Sequence, residues 1–515
     1  MQPPPVDSRR WAALAVLCLS LVVIALDGTI VNVAIPTIAT KLHGSESQLQ
    51  WIVDGYTLAF ATLLLAAGHV ADRVGRQKML MVGLGLFGVA SMMATFSTSV
   101  AQLIVFRVLM GVGGACIMPS TLSTIAHLFR DAHERARALS LWSATLGIGA
   151  VLGPVLGGRL LQSFNWESVF WINVPIAAVA IGLAWRRVPN SRHPGGRADP
   201  VGLAYSAVGL TALVWSIIEG PTKGWGSGAI LVGFAVAAVS LAVFVWWERR
   251  QLHPLLPLHF FASRRFTMAT VSLGAAYFGL IGALFLSTQY LQSAMGDGPF
   301  LTGLRLLPEA LAIAALSVAS HGAALRFGTK HVAAVGLLLS ALGLWLLSHL
   351  HPGSAYTQMW PGLVLLGAGL GTTMAPCEDS VIGSLPQSQT GVGSSVNSTI
   401  IQVGTALGVA VFGSVENTAY QHHMNHAAAR LAAAHLPQSL LAPLAQSLSV
   451  ARALVSHLPP VLQGPLFLLM RTAFDQGLDR ALALGSAVSV AAALAAWVYL
   501  PARADPGTLS SPDPS

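Results

Sequence analysis

Apolar residues along this chain are gathered into long runs parted by short polar stretches. Fourteen runs are long enough to cross a bilayer as helices: 12–35, 49–69, 79–98, 103–127, 138–161, 169–186, 201–219, 229–247, 267–292, 303–321, 331–349, 359–382, 392–413 and 481–500. In lipid the backbone must satisfy its own hydrogen bonds, so runs of this length are expected to be helices. The pattern predicts an all-α polytopic membrane protein with fourteen transmembrane helices.

The polar stretches orient the runs. With the N-terminus in the cytoplasm, the inner side holds nineteen basic residues: Arg9, Arg10, Arg73, Arg76, Lys78, Arg130, Arg135, Arg137, Arg186, Arg187, Arg192, Arg197, Arg249, Arg250, Arg264, Arg265, Arg326, Lys330 and Arg503. The short outer loops hold Lys41, Arg159 and Lys223. That asymmetry is the positive-inside signature, and an even span count puts both termini in the cytoplasm of a cell-membrane protein.

The organisation expected is a cytoplasmic tail (1–10), a six-helix bundle (11–187), a cytoplasmic linker (188–200), two inserted spans (201–247), a second linker (248–266), a second six-helix bundle (267–500) and a disordered tail (501–515). Within the second bundle, 414–480 reads as a long external loop. Its stretches 418–435 and 440–457 have helical apolar spacing and predict an external hairpin.

Composition agrees. Charged residues make up 9% of the chain, against about 25% in soluble domains. The net charge of +8 is spread between apolar runs, so nucleic-acid binding is not expected. Cys18, Cys116 and Cys377 lie inside apolar runs and form no disulfide framework or metal-ligand spacing. The first run is too long for a signal h-region and is expected to be retained. No G-x-x-x-x-G-K-[ST] string is present, so ATP is not the expected energy source.

Six strings then coincide in order and position: LDGTIVNVAIP (26–36), WIVDGYTL (51–58), GHVADRVGRQK (68–78), LIVFRVLMGVGGA (103–115), GAVLGPVLGG (149–158) and WESVFWINVPI (166–176). Together they resemble the major facilitator superfamily, and more narrowly its fourteen-span drug:proton antiporters of the EmrB/QacA type. The resemblance covers residues 11–413 and the last span. It implies alternating access between two repeat-related bundles, with substrate bound midway through the membrane.

The resemblance implies roles for particular residues. Gly68, Asp72, Arg73, Gly75 and Arg76 match the loop between the second and third spans, a charge cluster that breaks and reforms as the halves rock. Arg107, inside the fourth span, matches a position implicated in proton transfer, although Met110 stands where the family usually has Gln. Gly149, Gly153, Pro154, Gly157 and Gly158 match the antiporter string of exporters. SHGAALRFG (320–328) is a remnant of the gating string in the second half and lacks its acid.

Ionisable residues within spans are functional candidates on physical grounds. Asp27, Asp54, Glu309, Glu378 and Asp379 are these acids. A buried carboxyl holds a proton more readily than one in water, and a bound cation expels it. That competition is a complete scheme for cation/proton exchange, with Asp27 foremost. Asn32, Tyr56, Gln289, Gln292, Asn397 and Gln402 are expected to line the cavity, with Trp51, Phe285 and Tyr290 offering faces to flat cations. His422 and His426 stand one helical turn apart, but His423 and His435 nearby complete no ligand set with an acid or thiol, so no metal is expected.

The function expected is proton-coupled antiport exporting small lipophilic cations, with no cofactor and no enzymatic activity. The alternative is a dedicated exporter of one natural product, and a third reading is a non-transporting sensor on the same scaffold. A periplasmic adaptor is a less favoured partner.

Overall fold

A computed structural model describes residues 8–129, 131–192, 199–251, 254–351, 353–385, 390–433, 444, 447–456 and 458–501. Parts of the linkers, of the loop after residue 433 and of both tails lie outside these residues. Among the described residues there is no β-strand.

The first half comprises α1 (Ser8–Leu42), α2 (Glu46–Val74), α3 (Arg76–Ala94), α4 (Val100–Leu128), α5 (Ala132–Ser163), the single turn α6 (Ser168–Trp171) and α7 (Asn173–Arg187). Then come α8 (Pro200–Lys223) and α9 (Gly228–Glu248). The second half comprises α10 (Arg264–Gln289), α11 (Pro299–Phe327), α12 (Thr329–Ser348), α13 (Tyr356–Ile382), α14 (Thr390–Ala433), α15 (Leu448–Val455) and α16 (Pro460–Tyr499). A π-helical turn over Tyr290–Ala294 ends α10.

Thirteen helices among the described residues are long and apolar enough to cross a membrane. The helix α13 is not among them. It runs for 27 residues and packs between α11 and α12, but Gly, Thr and two prolines dilute its apolar character.

The second difference from expectation concerns 414–480. The thirteenth run continues without a break to Ala433, making α14 44 residues long. The last helix begins at Pro460, well before residue 481, and is 40 residues long. The stretch 414–480 is therefore mostly the extended ends of α14 and α16, with the short α15 between. Hydropathy marks only where a helix is apolar, and an amphipathic continuation is invisible to it. The stretch 434–443 of the expected hairpin lies outside the described residues.

Successive spans alternate in direction and define two faces. The near face carries the start of α1 and the turns at Gly75 and Gly328. The far face carries the α1–α2 turn and the π turn. Gly75 and Gly328 both have positive φ (123° and 86°) and occupy matching turns in the two halves, as expected of related repeats. At Gly75 a Cβ would meet the Asn190 amide, and this backbone region is nearly closed to other residues at about 1–3 kcal/mol. Gly75→Ala is expected to lower the thermal unfolding midpoint of detergent-purified protein. An unchanged midpoint contradicts this.

The two halves pack along α2 and α14, with Leu65 of α2 clustered with Phe266 of α10 and Val396 of α14, and their polar contacts lie toward the far face. Gln289 Nε2 donates to Glu46 Oε1 (2.9 Å), Gln292 Nε2 to the Val33 carbonyl (2.8 Å), and Ser414 Oγ to Gln50 Oε1 (3.4 Å). There α5 and α11 touch backbone to backbone at Gly158 with Pro299 and at Gly303 with Pro154. Toward the near face the same two helices expose Leu141, Leu152, Leu311, Val318 and Leu325.

Candidate functional site

The most buried ion pair among the described residues lies within the first half. Asp27, midway along α1, accepts from Arg107 Nη1 of α4, and the two side chains are 0% and 1% exposed. Arg107 also donates from Nε to the Ile52 carbonyl of α2 at 2.8 Å. Its guanidinium lies over the Tyr56 ring, 4.5 Å from the centroid, a cation–π contact. The second carboxylate oxygen of Asp27 accepts from Asn173 Nδ2 at 3.3 Å. One constellation thus draws on α1, α2, α4 and α7.

Sequence places these residues together for local reasons. Arg107 interrupts an apolar helix and must find a counter-charge to remain buried. Gly111 and Gly114 on α4 have Tyr56 and Phe60 of α2 against them, so the helices approach closely enough for Arg107 to reach the Ile52 carbonyl. Gly149, Gly153 and Gly157 of α5 lie against Ala25, Thr29 and Ile30 of α1. These antiporter-string glycines seat α1, the carrier of Asp27, directly on α5. Gly158 faces the other half of the molecule instead.

A second acid stands apart. Asp54 is 0% exposed, and neither carboxylate oxygen has a hydrogen-bond partner among the described residues. On its helix face it lies between Gln50, which meets Ser414, and Leu58, which packs with Ala406 and Ala410 of α14. Asp54 therefore occupies the seam between the halves. Glu309 on α11 is 4% exposed and forms no ion pair among the described residues. Its backbone lies against Gly367 of α13.

The remaining candidates divide. In the gating string Asp72 pairs with Arg76 at 2.8 Å, and Arg76 Nη1 donates to the Ser123 carbonyl at 2.8 Å. Arg73 is exposed and Gly68 lies against Pro119 of α4. Glu378 is half-buried, whereas Asp379 is exposed and pairs with His321 at 2.9 Å. The second half lacks the acid of its gating remnant, and Asp379 of α13 supplies one to His321 from a neighbouring helix.

Gln289 is buried and Gln292 half-buried. They are consumed in the far-face contact already described. Asn32 Nδ2 donates one turn back to the Gly28 carbonyl at 3.2 Å. Asn397 is buried with an unpartnered carbonyl, and Gln402 is half-buried. His422 and His426 stand with their Nε2 atoms 3.1 Å apart.

Sequence reasoning assigns nothing to Asn173, Ser91, Glu46 or Glu416, all buried. Asn173 stands in the string WINVPI without a role. Glu46 falls just before a run limit and Glu416 just after one.

A bundle of membrane-length helices that shuts ionisable groups away from water in its interior defines a polytopic membrane transporter. The chain belongs to the Major Facilitator Superfamily, whose family model matches residues 17–409. It is 34% identical over 487 residues to the multidrug efflux pump LfrA of Mycolicibacterium smegmatis, covering 94% of this chain and 95% of that protein. It is 36% identical over 409 residues to the tetracenomycin C resistance and export protein of Streptomyces glaucescens, covering 79% and 76%. In fold it is similar to a bacterial homolog of the human lysosomal transporter Spinster in an inward-facing, unoccupied conformation, with TM-score 0.67, 18% identity and 98% and 100% coverage.

Proposed function

We propose that this protein exports small lipophilic cations in exchange for protons, by alternating access across the cell membrane. The observation that carries the reading is the Asp27–Arg107 pair, buried midway through the first bundle. A buried carboxylate is stable there while Arg107 faces it. A proton on Asp27 cancels the pair and frees Arg107 to rely on Ile52 and Tyr56. That gives the bundle two arrangements, selected by one proton. Asp54 and Glu309, acids without a paired base among the described residues, suit a cationic substrate.

The reading extends to architecture. The helix α13 serves as the fourteenth span, giving two six-helix bundles (11–187 and 267–500) and an inserted pair (201–247). The near face, rich in Arg, is cytoplasmic together with both termini. Contacts gathered at the far face then correspond to an inward-open state. The extended ends of α14 and α16 stand over the far face and favour a pump that works without an adaptor.

A growth-inhibition panel of cationic, neutral and anionic compounds, in a host stripped of its own pumps, tests the proposal. Tolerance to several unrelated cations, abolished by an uncoupler, is expected. Tolerance to one compound alone supports a dedicated exporter, in keeping with the export role named for the tetracenomycin relative. No tolerance and no flux with any compound overturns the transport reading in favour of a sensor.

A further inference from the structure

Asn173 opens α7 after the break at Ile172 and is fully buried. Its Nδ2 donates both to Asp27 Oδ1 (3.3 Å) and to Ser91 Oγ of α3 (3.2 Å). Ser91 Oγ in turn gives its hydrogen to the Phe170 carbonyl at 2.9 Å. With that hydrogen committed, Ser91 offers the amide only an acceptor, and this fixes which end of the amide faces Asp27. The amide oxygen, Asn173 Oδ1, is buried and has no partner among the described residues.

The chemistry of Asp27's two partners differs. A guanidinium has five donors and no acceptor, so Arg107 can donate to Asp27 but cannot accept from a protonated Asp27. Once Asp27 takes a proton, its new O–H needs an acceptor, because a buried donor left unmade is costly. Arg107 is the charged group acting on Asp27, and Tyr56 on α2 is the other titratable group in its field. Arg107 has no acceptor atom, and the Tyr56 hydroxyl stands against Gly114 of α4 and makes no hydrogen bond to Asp27. A half-turn of the Asn173 amide puts its unpartnered oxygen where its nitrogen stood, facing Asp27.

We propose that Asn173 is the positioning residue of proton coupling: its side-chain amide donates to ionised Asp27 and, turned over, accepts from protonated Asp27, with Ser91 biasing it toward the donating orientation. The inference rests on Asp27 being the proton carrier. The proton bound to Asp27 remains on Asp27, and the amide loses and gains none. Its role is to make the neutral acid tolerable in a site otherwise built for the anion.

The test is infrared titration of purified protein in lipid, following the carboxylic-acid band that is absent from Asp27→Asn. Asn173→Leu removes the long donor bond to the anion as well as the acceptor for the acid, but Arg107 still serves the anion whereas the new O–H is left with no partner, so the net effect is that protonated Asp27 becomes harder to form. The midpoint is expected to fall by about one pH unit, a tenfold change in proton affinity. Ser91→Ala removes the bias and leaves the amide free to turn, so its midpoint is expected to rise.

If the amide acted only as a donor, Asn173→Leu would raise the midpoint, and that result overturns the inference. So do unshifted midpoints in the two variants, which reduce Asn173 to packing. Ser91→Ala deletes a single oxygen, so an unshifted or lowered midpoint there overturns the inference even if Asn173→Leu fails to fold. Should the wild-type band not titrate at all, the proton-carrier reading of Asp27 fails with it. A titrating wild type with unshifted variants fails only the present inference.

Discussion

Asp27→Asn is expected to abolish transport driven by an imposed pH gradient in liposomes. Asparagine keeps the size of the side chain and can still accept from Arg107, but it cannot carry a proton. The cost to stability is real, since removing one partner of a buried ion pair leaves the other charge uncompensated, at about 3–5 kcal/mol. Arg107 keeps its bond to the Ile52 carbonyl and its place over Tyr56, which limits the loss. The measurement therefore has two arms. Substrate exchange without a gradient reports whether the variant is folded and binds, and is expected to persist. Drug-coupled proton flux is expected to vanish. Unchanged proton flux would remove Asp27 from the coupling mechanism.

The parts of this molecule that can be read from sequence are those where one residue type is forced by lipid. Long apolar runs admit only helices, so most spans are legible within a few residues. Charges inside those runs stand out because lipid penalises them, which is why Asp27, Asp54, Arg107 and Glu309 can be found. Their partners are harder. That Arg107 belongs to Asp27, 80 positions away, follows from how α1 and α4 pack, and no spacing in the chain encodes it.

Neutral partners are harder still. Asn173 and Ser91 carry no charge to draw attention in an apolar segment, and only their contacts give them meaning. Hydropathy also misjudges helix ends. Glu46 and Glu416 read as loop residues, yet both are buried, and the bond from Gln289 to Glu46 has no signal in the sequence. The glycines of the antiporter string are legible as close-packing positions. Which of them join α1 and which join the opposite half is not, because all lie on one helix within ten residues.

That last distinction yields the other large expected effect. Gly153 and Gly157 face α1, whereas Gly158 faces the start of α11, and Gly303 on α11 returns the contact to Pro154. A Cβ at residue 303 would meet the Pro154 carbonyl group, with Val155 Cα at 3.1 Å. These are backbone atoms and cannot rotate away. Gly303→Val therefore forces α5 and α11 apart where the halves close.

Overpacking of this kind costs about 1–3 kcal/mol. Applied to one state of a two-state cycle, it shifts the populations by roughly five- to 150-fold toward the state open at the far face. The fold within each half is untouched, so the variant is expected to reach the membrane in normal amount. Gln289, which is 0% exposed in the closed arrangement, supplies the reporter position. Gln289→Cys, in a background where Cys18, Cys116 and Cys377 are replaced, reads the shift. A membrane-impermeant thiol reagent added from the far side is expected to label this cysteine much faster when Gly303→Val is also present, while export falls to near background. Equal labelling with intact export would show that α5 and α11 close the far face without touching at Gly303.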